Sequence, residues 1–373
     1  MTFDDGLEDS ADVLIAATGV LHHPNMPDID GAQTFEGALF HSARWDHSID
    51  LQDKRIAVIG NGSTGVQIIS ALAGNVRHIE HYQRTAQWIM PTYNGHFSEE
   101  DKARFRADPA ALETAMDTGT YKKNVEGYSQ VITGENGEGA QHFIDACRDN
   151  LEQAVTDPEL RERLRPDHQP LCKRLVFSPD YYQAIQHPDA RLVTAGIERI
   201  EPAGIRTCDG ELHTRDIIVY ATGFHADHFL RPIRVTGRDG IDLEDFWSLR
   251  PRAYLAVSMP GFPNLFMLNG PNGPVGNFSL IDIAEHQWHY ISQLLDRLAQ
   301  GECTAVEPDN ETFEAFEQER IEAAKKTIWF TGGCKSWYLD AQGIPASWPW
   351  SFSRFTREMS TPRWEVFGLA EPG

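Results

Sequence analysis

The sequence predicts an α/β protein built on a doubly wound parallel sheet, and two observations carry this. Arg55-Ile-Ala-Val-Ile59 is an apolar run that ends in Gly60-Asn-Gly-Ser-Thr-Gly65. A helical pattern follows from Val66 to Ala73, and a further strand pattern covers His78–Tyr82. An unbroken apolar run marks a strand buried on both faces, and strand, turn, helix, strand in succession implies parallel pairing. The second observation is an apolar run closed by Ala-Thr-Gly that occurs twice, at 12–19 and at 216–223. The repetition predicts two crossings between the same pair of domains.

The remaining elements follow in order. The strand at 12–16 needs neighbours, and they must come from far downstream or from outside these residues. A polar, Pro-rich connector runs from His22 to Asp53. The helix after the glycine turn should stop at Gly74-Asn75. From 96 to 170 the chain is charged, with helical spacing at Phe143, Ala146, Leu151 and Ala154 and a flexible Gly134–Gly139 stretch. This reads as a mostly helical insertion. Strands resume at 191–194 and 216–223. Ser279 to Gln300 reads as a long helix with Ser279 as N-cap and Leu280, Ala284, Trp288, Ile291, Leu295 and Leu298 on one stripe. The expected division is 1–53 (a strand remnant and connector), 54–215 (the dinucleotide unit with its insertion) and 216–373 (the second unit and tail).

Composition bounds the function. Of 373 residues 41% are hydrophobic and 24% charged, as in a globular protein. The net charge of −22 repels phosphate backbones, so nucleic acid is not an expected partner. No run approaches the ~18 apolar residues of a membrane span. Five cysteines without a C-x-x-C pair suggest reduced thiols and a cytoplasmic setting. His22 and His23 are adjacent and poorly placed to share a metal, so no metal is expected.

The glycine turn carries the chemistry. Gly60 permits the tight turn, Gly62 lets a pyrophosphate approach the backbone, and Gly65 allows close helix–strand packing. The helix start, with Ser63, Thr64 and Gln67, offers N–H groups to phosphates in the Rossmann manner. About 20 residues on, where an acid would meet the ribose of NAD or FAD, stands Arg84, followed by Thr85. An arginine there suits a 2′-phosphate and favours NADP. Lys173-Arg174 is a second basic pair in an acidic chain, a candidate to serve both that phosphate and a reacting centre. Its alternative is a pair of surface ion pairs.

Phe35-Glu-Gly-Ala-Leu-Phe-His41-Ser-Ala-Arg-Trp45-Asp46, directly before Gly60-Asn-Gly-Ser-Thr-Gly65, resembles the signature of type I Baeyer–Villiger monooxygenases, within the flavin-containing monooxygenases. Gln83-Arg84-Thr85 with Trp88 and Pro91, Ala221-Thr222-Gly223-Phe224, Asn269-Gly-Pro-Asn272 and Thr331–Tyr338 resemble further family segments. Members acting on aryl ketones, such as 4-hydroxyacetophenone monooxygenases, look most similar. The resemblance implies FAD and NADP as cofactors and a ketone and molecular oxygen as substrates. In that chemistry NADPH reduces FAD, oxygen adds as a C4a-peroxyflavin, and the ketone becomes an ester or lactone. It implies that Lys173 meets the NADP phosphate, that Arg174 is catalytic at the flavin, and that Thr222, Gly223 and Asn272 lie near the cofactors. The family resembles a protein with two glycine turns, and only the NADP-type turn is present here. The second domain is therefore expected to be an incomplete FAD/NAD(P)-type domain, lacking an N-terminal FAD-binding segment or completed by a partner chain. Nitrogen or sulfur oxygenation, a non-catalytic NADP-binding remnant, and a flavin-free dehydrogenase are the rival readings.

Overall fold

A computed structural model describes residues 1–2, 4–92, 95–117, 120–276 and 278–370. Strands β1 (Leu14–Ala16), β2 (Ala38–His41), β3 (Arg55–Ile59) and β4 (His78–Tyr82) come first, with helix α1 (Ser63–Leu72) between the last two. Strand β5 (Ile89–Met90) leads into helices α2 (Glu99–Ala107), α3 (Pro109–Asp117), α4 (Thr120–Thr133), α5 (Gly137–Ala154) and α6 (Pro158–Leu164). Then come β6 (Val176–Phe177), α7 (Tyr181–Ala184), β7 (Ala190–Val193), β8 (Ile197–Glu201), β9 (Gly204–Thr207), β10 (Leu212–Thr214) and β11 (Ile217–Tyr220). The last part holds α8 (Leu243–Phe246), β12 (Leu265–Met267), α9 (Leu280–Ala299) and β13 (Ala305–Pro308). It ends with α10 (Asn310–Ala324), α11 (Ile328–Thr331), α12 (Phe352–Ser360) and β14 (Phe367–Ala370).

A parallel five-stranded sheet in the order β2-β11-β3-β4-β7 forms the first unit. Strand β3 is buried on both faces, as its unbroken apolar run requires. Ile56 and Val58 pack with Val66 and Ile69 of α1. Ala57 and Ile59 pack with Ile200 and Ile205 of the antiparallel β8-β9-β10 layer on the other side. Each such aliphatic side chain contributes roughly 1.5–3 kcal/mol on burial. Arg55 and Asp216 pair at 2.6 Å where β3 and β11 begin, and this hydrogen-bonded arginine holds the Asp216 carboxyl down at about 2.

Strand β1 pairs in parallel with β12, Leu14 opposite Leu265, so its neighbour does come from far downstream. Among the described residues no third strand joins this pair. The second core gathers around α9, α10 and α12, with Phe266, Ile283, Ile291, Phe313, Trp348 and Phe355 fully buried.

Three expectations are corrected. Strands β2 and β11 belong to the five-stranded sheet, so divisions at 53/54 and 215/216 cut through it. The edge strand β2 is only partly buried and carries no long apolar run to announce it. Helix α9 buries Ile283, Gln287, Tyr290, Ile291 and Leu294. The expected stripe divides: Ile291, Leu295 and Leu298 do reach the core, but Leu280 and Trp288 are 41% and 50% exposed, because the first half of the stripe points away from this chain's own core. The Gly134–Gly139 stretch is half helical: Asn136 caps α5 by accepting from the Gly139 N–H at 2.8 Å.

His81 of β4 is fully buried behind the glycine turn. Its Nε2–H donates to the Gly60 carbonyl at 3.1 Å, which leaves Nδ1 to accept from the Tyr181 hydroxyl at 3.0 Å. Burial pushes its pKa down from 6.5 to about 4. The unfolded chain therefore binds the extra proton first. Stability is full above pH 6.5 and falls as the pH drops toward 4, by at most about 3 kcal/mol. In urea titrations His81→Gln should flatten that part of the stability–pH curve. An unchanged slope would mean that His81 is not held neutral.

Candidate functional site

The glycine turn has a different reason for each glycine. Gly60 adopts a left-handed φ of 108°, and a Cβ there would meet the Ala221 carbonyl oxygen at 2.4 Å. A Cβ on Gly65 would sit 1.9 Å from the Gly60 carbonyl oxygen, so α1 and β3 pack at a distance only glycine allows. Gly62 is different. It is the N-cap of α1 with φ −71°, its Cβ position is open, and no side chain caps the helix there. Nothing among the described residues requires glycine at 62, which leaves space for a ligand against the turn, and the uncapped N–H groups beside the exposed Ser63, Thr64 and Gln67 suit an anion.

The cations converge on this turn. Asn61 donates from Nδ2 to the Thr85 carbonyl at 2.7 Å and to Gln83 Oε1 at 3.1 Å, which ties the turn to the end of β4. Arg84 is exposed between those two residues. Lys173 donates from Nζ to Thr85 Oγ1 at 3.1 Å. Burial lowers the Lys173 pKa; Asp167 acts in the other direction, and the neighbouring Arg84 charge lowers it further. Two cations held close enough to repel each other beside an open helix start fit a phosphate, so the NADP-type expectation passes this test. The loop that carries Lys173 is held by Trp88, whose indole N–H donates to the His168 carbonyl at 2.6 Å.

Arg174 turns the other way. Its guanidinium donates to the Gly276 carbonyl and bonds Tyr338. Burial raises the Tyr338 pKa, and Arg174 partly offsets this. Gly276 lies under the Tyr338 ring, with room for no Cβ. The adjacent Asn277 lies outside the described residues, and Ser279 caps α9 just beyond. The alternative of two surface ion pairs is not what forms, for among the described residues neither Lys173 nor Arg174 pairs with a carboxylate within 4.0 Å. The cysteine reading needs correction. Cys172, next to Lys173, is bonded to Cys334, with their Cα atoms 6.1 Å apart. Residues 162 positions apart meet here, a pairing no local spacing could reveal. The bond fastens the Lys173-Arg174 loop to the segment leading to Tyr338.

The second crossing lies against the turn. Thr222 Oγ1 donates to the Asn25 carbonyl at 2.6 Å and ties the second crossing to the connector, and Gly223 follows with φ 78°. Asn272 is buried, with contacts to the protein's own backbone: Oδ1 accepts from the Ala253 N–H and Nδ2 donates to the Ala346 carbonyl. It fastens two loops and is not brought to the turn. His41 ends β2, buried, and its Nδ1 accepts from the Ala43 N–H at 3.0 Å. Trp45 packs edge-on to Phe40 against the first core. Both act as joinery at the connector. Sequence reasoning missed His81, Asn61 and Tyr338 as supports of the site.

The fold and the site define the class, an α/β dinucleotide-binding protein of two units. Residues 1–98 match the family model described as flavin-binding monooxygenase-like. The chain is 46% identical over 348 residues to an uncharacterized monooxygenase of Mycobacterium tuberculosis, covering 93% of this chain and 69% of that protein. It is 36% identical over 354 residues to a Baeyer–Villiger monooxygenase of Streptomyces coelicolor, covering 94% and 67%. The crystal structure of cyclohexanone monooxygenase from Rhodococcus sp. Phi1 bound to NADP+ matches with a TM-score of 0.86 and 27% identity, covering 100% of this chain and 77% of that one. The chain belongs to the Baeyer–Villiger monooxygenases of the flavin-binding monooxygenase-like family, and it spans about two thirds of the length of these curated relatives.

The two glycines separate binding from folding. Gly62→Ala should leave the urea midpoint unchanged and weaken NADPH binding at least tenfold in fluorescence titrations. Gly65→Ala should destabilise the fold itself, by a few kcal/mol as overpacking does. Equal behaviour of the two variants would contradict the assignment of Gly62 to the ligand.

Proposed function

We infer that this chain works as an NADPH- and FAD-dependent monooxygenase that inserts one oxygen atom beside a ketone carbonyl, giving an ester or lactone. One observation carries the reading: the dipeptide Lys173-Arg174 faces two ways. Lys173 reaches the glycine turn through Thr85, and Arg174 reaches Gly276 and Tyr338 of the second unit. A single short loop thus serves both places where this family's chemistry needs a cation.

When bound, NADPH supplies hydride and FAD activates oxygen. The chain's own residues bind and orient. Gly60, Gly62, Ser63, Thr64, Gly65 and Gln67 receive the pyrophosphate of NADP at the start of α1, while Arg84, Thr85 and Lys173 take the 2′-phosphate. Arg174, fixed by the Gly276 carbonyl, stabilises negative charge that develops on oxygen during attack on the carbonyl. Thr222 and Gly223 hold the second crossing beside both. The first functional unit runs from the connector through β11, ending at Tyr220, and the second takes β1 and the residues from 221 to 373. The motif resemblance favours an aryl ketone, and comparing turnover of an aryl with a cyclic aliphatic ketone tests that.

The FAD side is incomplete among the described residues. They hold one glycine turn with a cationic strand end. On the other unit, the open edge of β1 and the exposed Leu280, Ile281 and Trp288 form a surface fit for more protein. We expect tight FAD binding to need further chain, in cis or as a second polypeptide. The isolated 373-residue chain should therefore purify without flavin absorbance. A yellow, active preparation of it would overturn this expectation.

Two substitutions test the cation assignments. Arg84→Ala should weaken NADPH binding ~10–100-fold and leave NADH nearly unaffected, since a charged hydrogen bond contributes roughly 1.5–3 kcal/mol. Equal losses would remove Arg84 from the phosphate site. In a flavin-loaded form, Arg174→Ala should abolish ester formation, followed by gas chromatography, and Arg174→Lys should impair it, because a point charge lacks the planar donor fork. Wild-type ester yield from the alanine variant would refute the role.

A further inference from the structure

The second crossing carries a group of side chains that neither the fold nor the proposed reaction uses. Beyond Gly223 the chain reads Phe224-His225-Ala226-Asp227-His228, and the backbone turns so that the side chains of His225, Asp227 and His228 gather. One ligating atom from each lies within 4.8 Å of the other two. The His225 and His228 rings are stacked, with centroids 4.7 Å apart and planes 12° from parallel. His23, at the start of the connector, packs its ring 5.0 Å from His228.

From this geometry we propose a divalent transition-metal site formed by His225, Asp227 and His228. Two imidazoles and a carboxylate are the donor set of zinc and its neighbours, whereas magnesium and calcium take oxygen ligands throughout. Among the described residues the ring nitrogens of His225 have no hydrogen-bond partner, so they are available to an ion. Burial lowers the His228 pKa; Asp227 acts in the other direction, and His225, His23 and Arg231 lower it further. The nearby Arg231 is ion-paired with Glu244 at 2.8 Å. The overall charge of −22 draws cations toward the surface. The sequence reading weighed only His22 and His23 and expected no metal. The ligands that gather are other residues, brought together by the turn at 225–228.

The location gives the site a consequence. The His225 N–H donates to the His23 carbonyl at 2.9 Å, and Pro24 forms a β-bridge with Phe224. The turn that would hold the ion is thus stitched to the connector that follows the first crossing. An ion there stiffens both of the chain segments that join the two units.

The test uses the whole chain in a Cys208→Ser background, because an exposed free thiol such as Cys208 is an independent zinc ligand. The protein is stripped with a chelator, exchanged into clean buffer and titrated calorimetrically with zinc chloride. The expected result is one saturable equivalent, weakened ~10–100-fold by His225→Ala and by His228→Ala, with NADPH binding unchanged as the control for folding. Removal of an outer-sphere partner already costs that much elsewhere, so loss of a ligand should cost no less. Absence of saturable uptake by the parent chain, or equal affinity in the parent and the His225→Ala/His228→Ala double variant, would overturn the proposal.

Discussion

The close approach of Gly65 to the Gly60 carbonyl is the contact on which the site depends. It sets the distance between α1 and β3, and so fixes where the first N–H groups of the helix point. Any side chain at 65 would push α1 away from the sheet and turn those groups from a converging cradle into a splayed one. The same carbonyl is held from behind by His81, itself buried and braced by Tyr181. The turn is therefore clamped on two sides before any ligand arrives. A cradle built in advance loses little conformational entropy on binding.

From that fixed point the site is assembled by a relay of short bonds. Asn61 joins the turn to Thr85, Thr85 joins Lys173, and the next residue, Arg174, reaches Gly276 in the other unit. The relay explains how an acidic chain keeps three cations in one region. Lys173 and Arg174 are placed by neutral hydrogen-bonding partners, and among the described residues none of the three pairs with a carboxylate within 4.0 Å. The positive region persists against the global field because it is structurally enforced.

Much of this was legible in the sequence. Strand β3, the glycine turn, α1 and β4 were each announced by local pattern, because a buried parallel strand and a glycine turn leave strong marks on composition. The helical insertion was visible in its charge and spacing. What stayed hidden depends on contacts distant in the chain. Strand β2 is an edge whose identity comes from pairing with β11. Cys172 and Cys334 show nothing of their partnership at a separation of 162 residues. The buried face of α9 was misjudged because the apolar residues 280, 284 and 288 line a surface that this chain leaves open, while Gln287 is fully buried and bonds the Asn269 N–H. A residue's polarity alone could not rank those two faces.

The pairing of β1 with β12 has a consequence for how the chain is made. Leu14 meets Leu265, and everything from β2 to β11, the whole first sheet, lies between them in sequence. The dinucleotide unit is nested within the other as an inserted loop. During synthesis β1 leaves the ribosome long before β12 exists, so the edge of β1 that β12 covers waits unpaired. The nested unit, whose strands are all complete by Tyr220, can fold in that interval and bring the two ends of the outer unit close together. Its own stability then sets the entropy of closing the outer loop, so a mutation that loosens the inner sheet also handicaps the assembly of a core it does not touch.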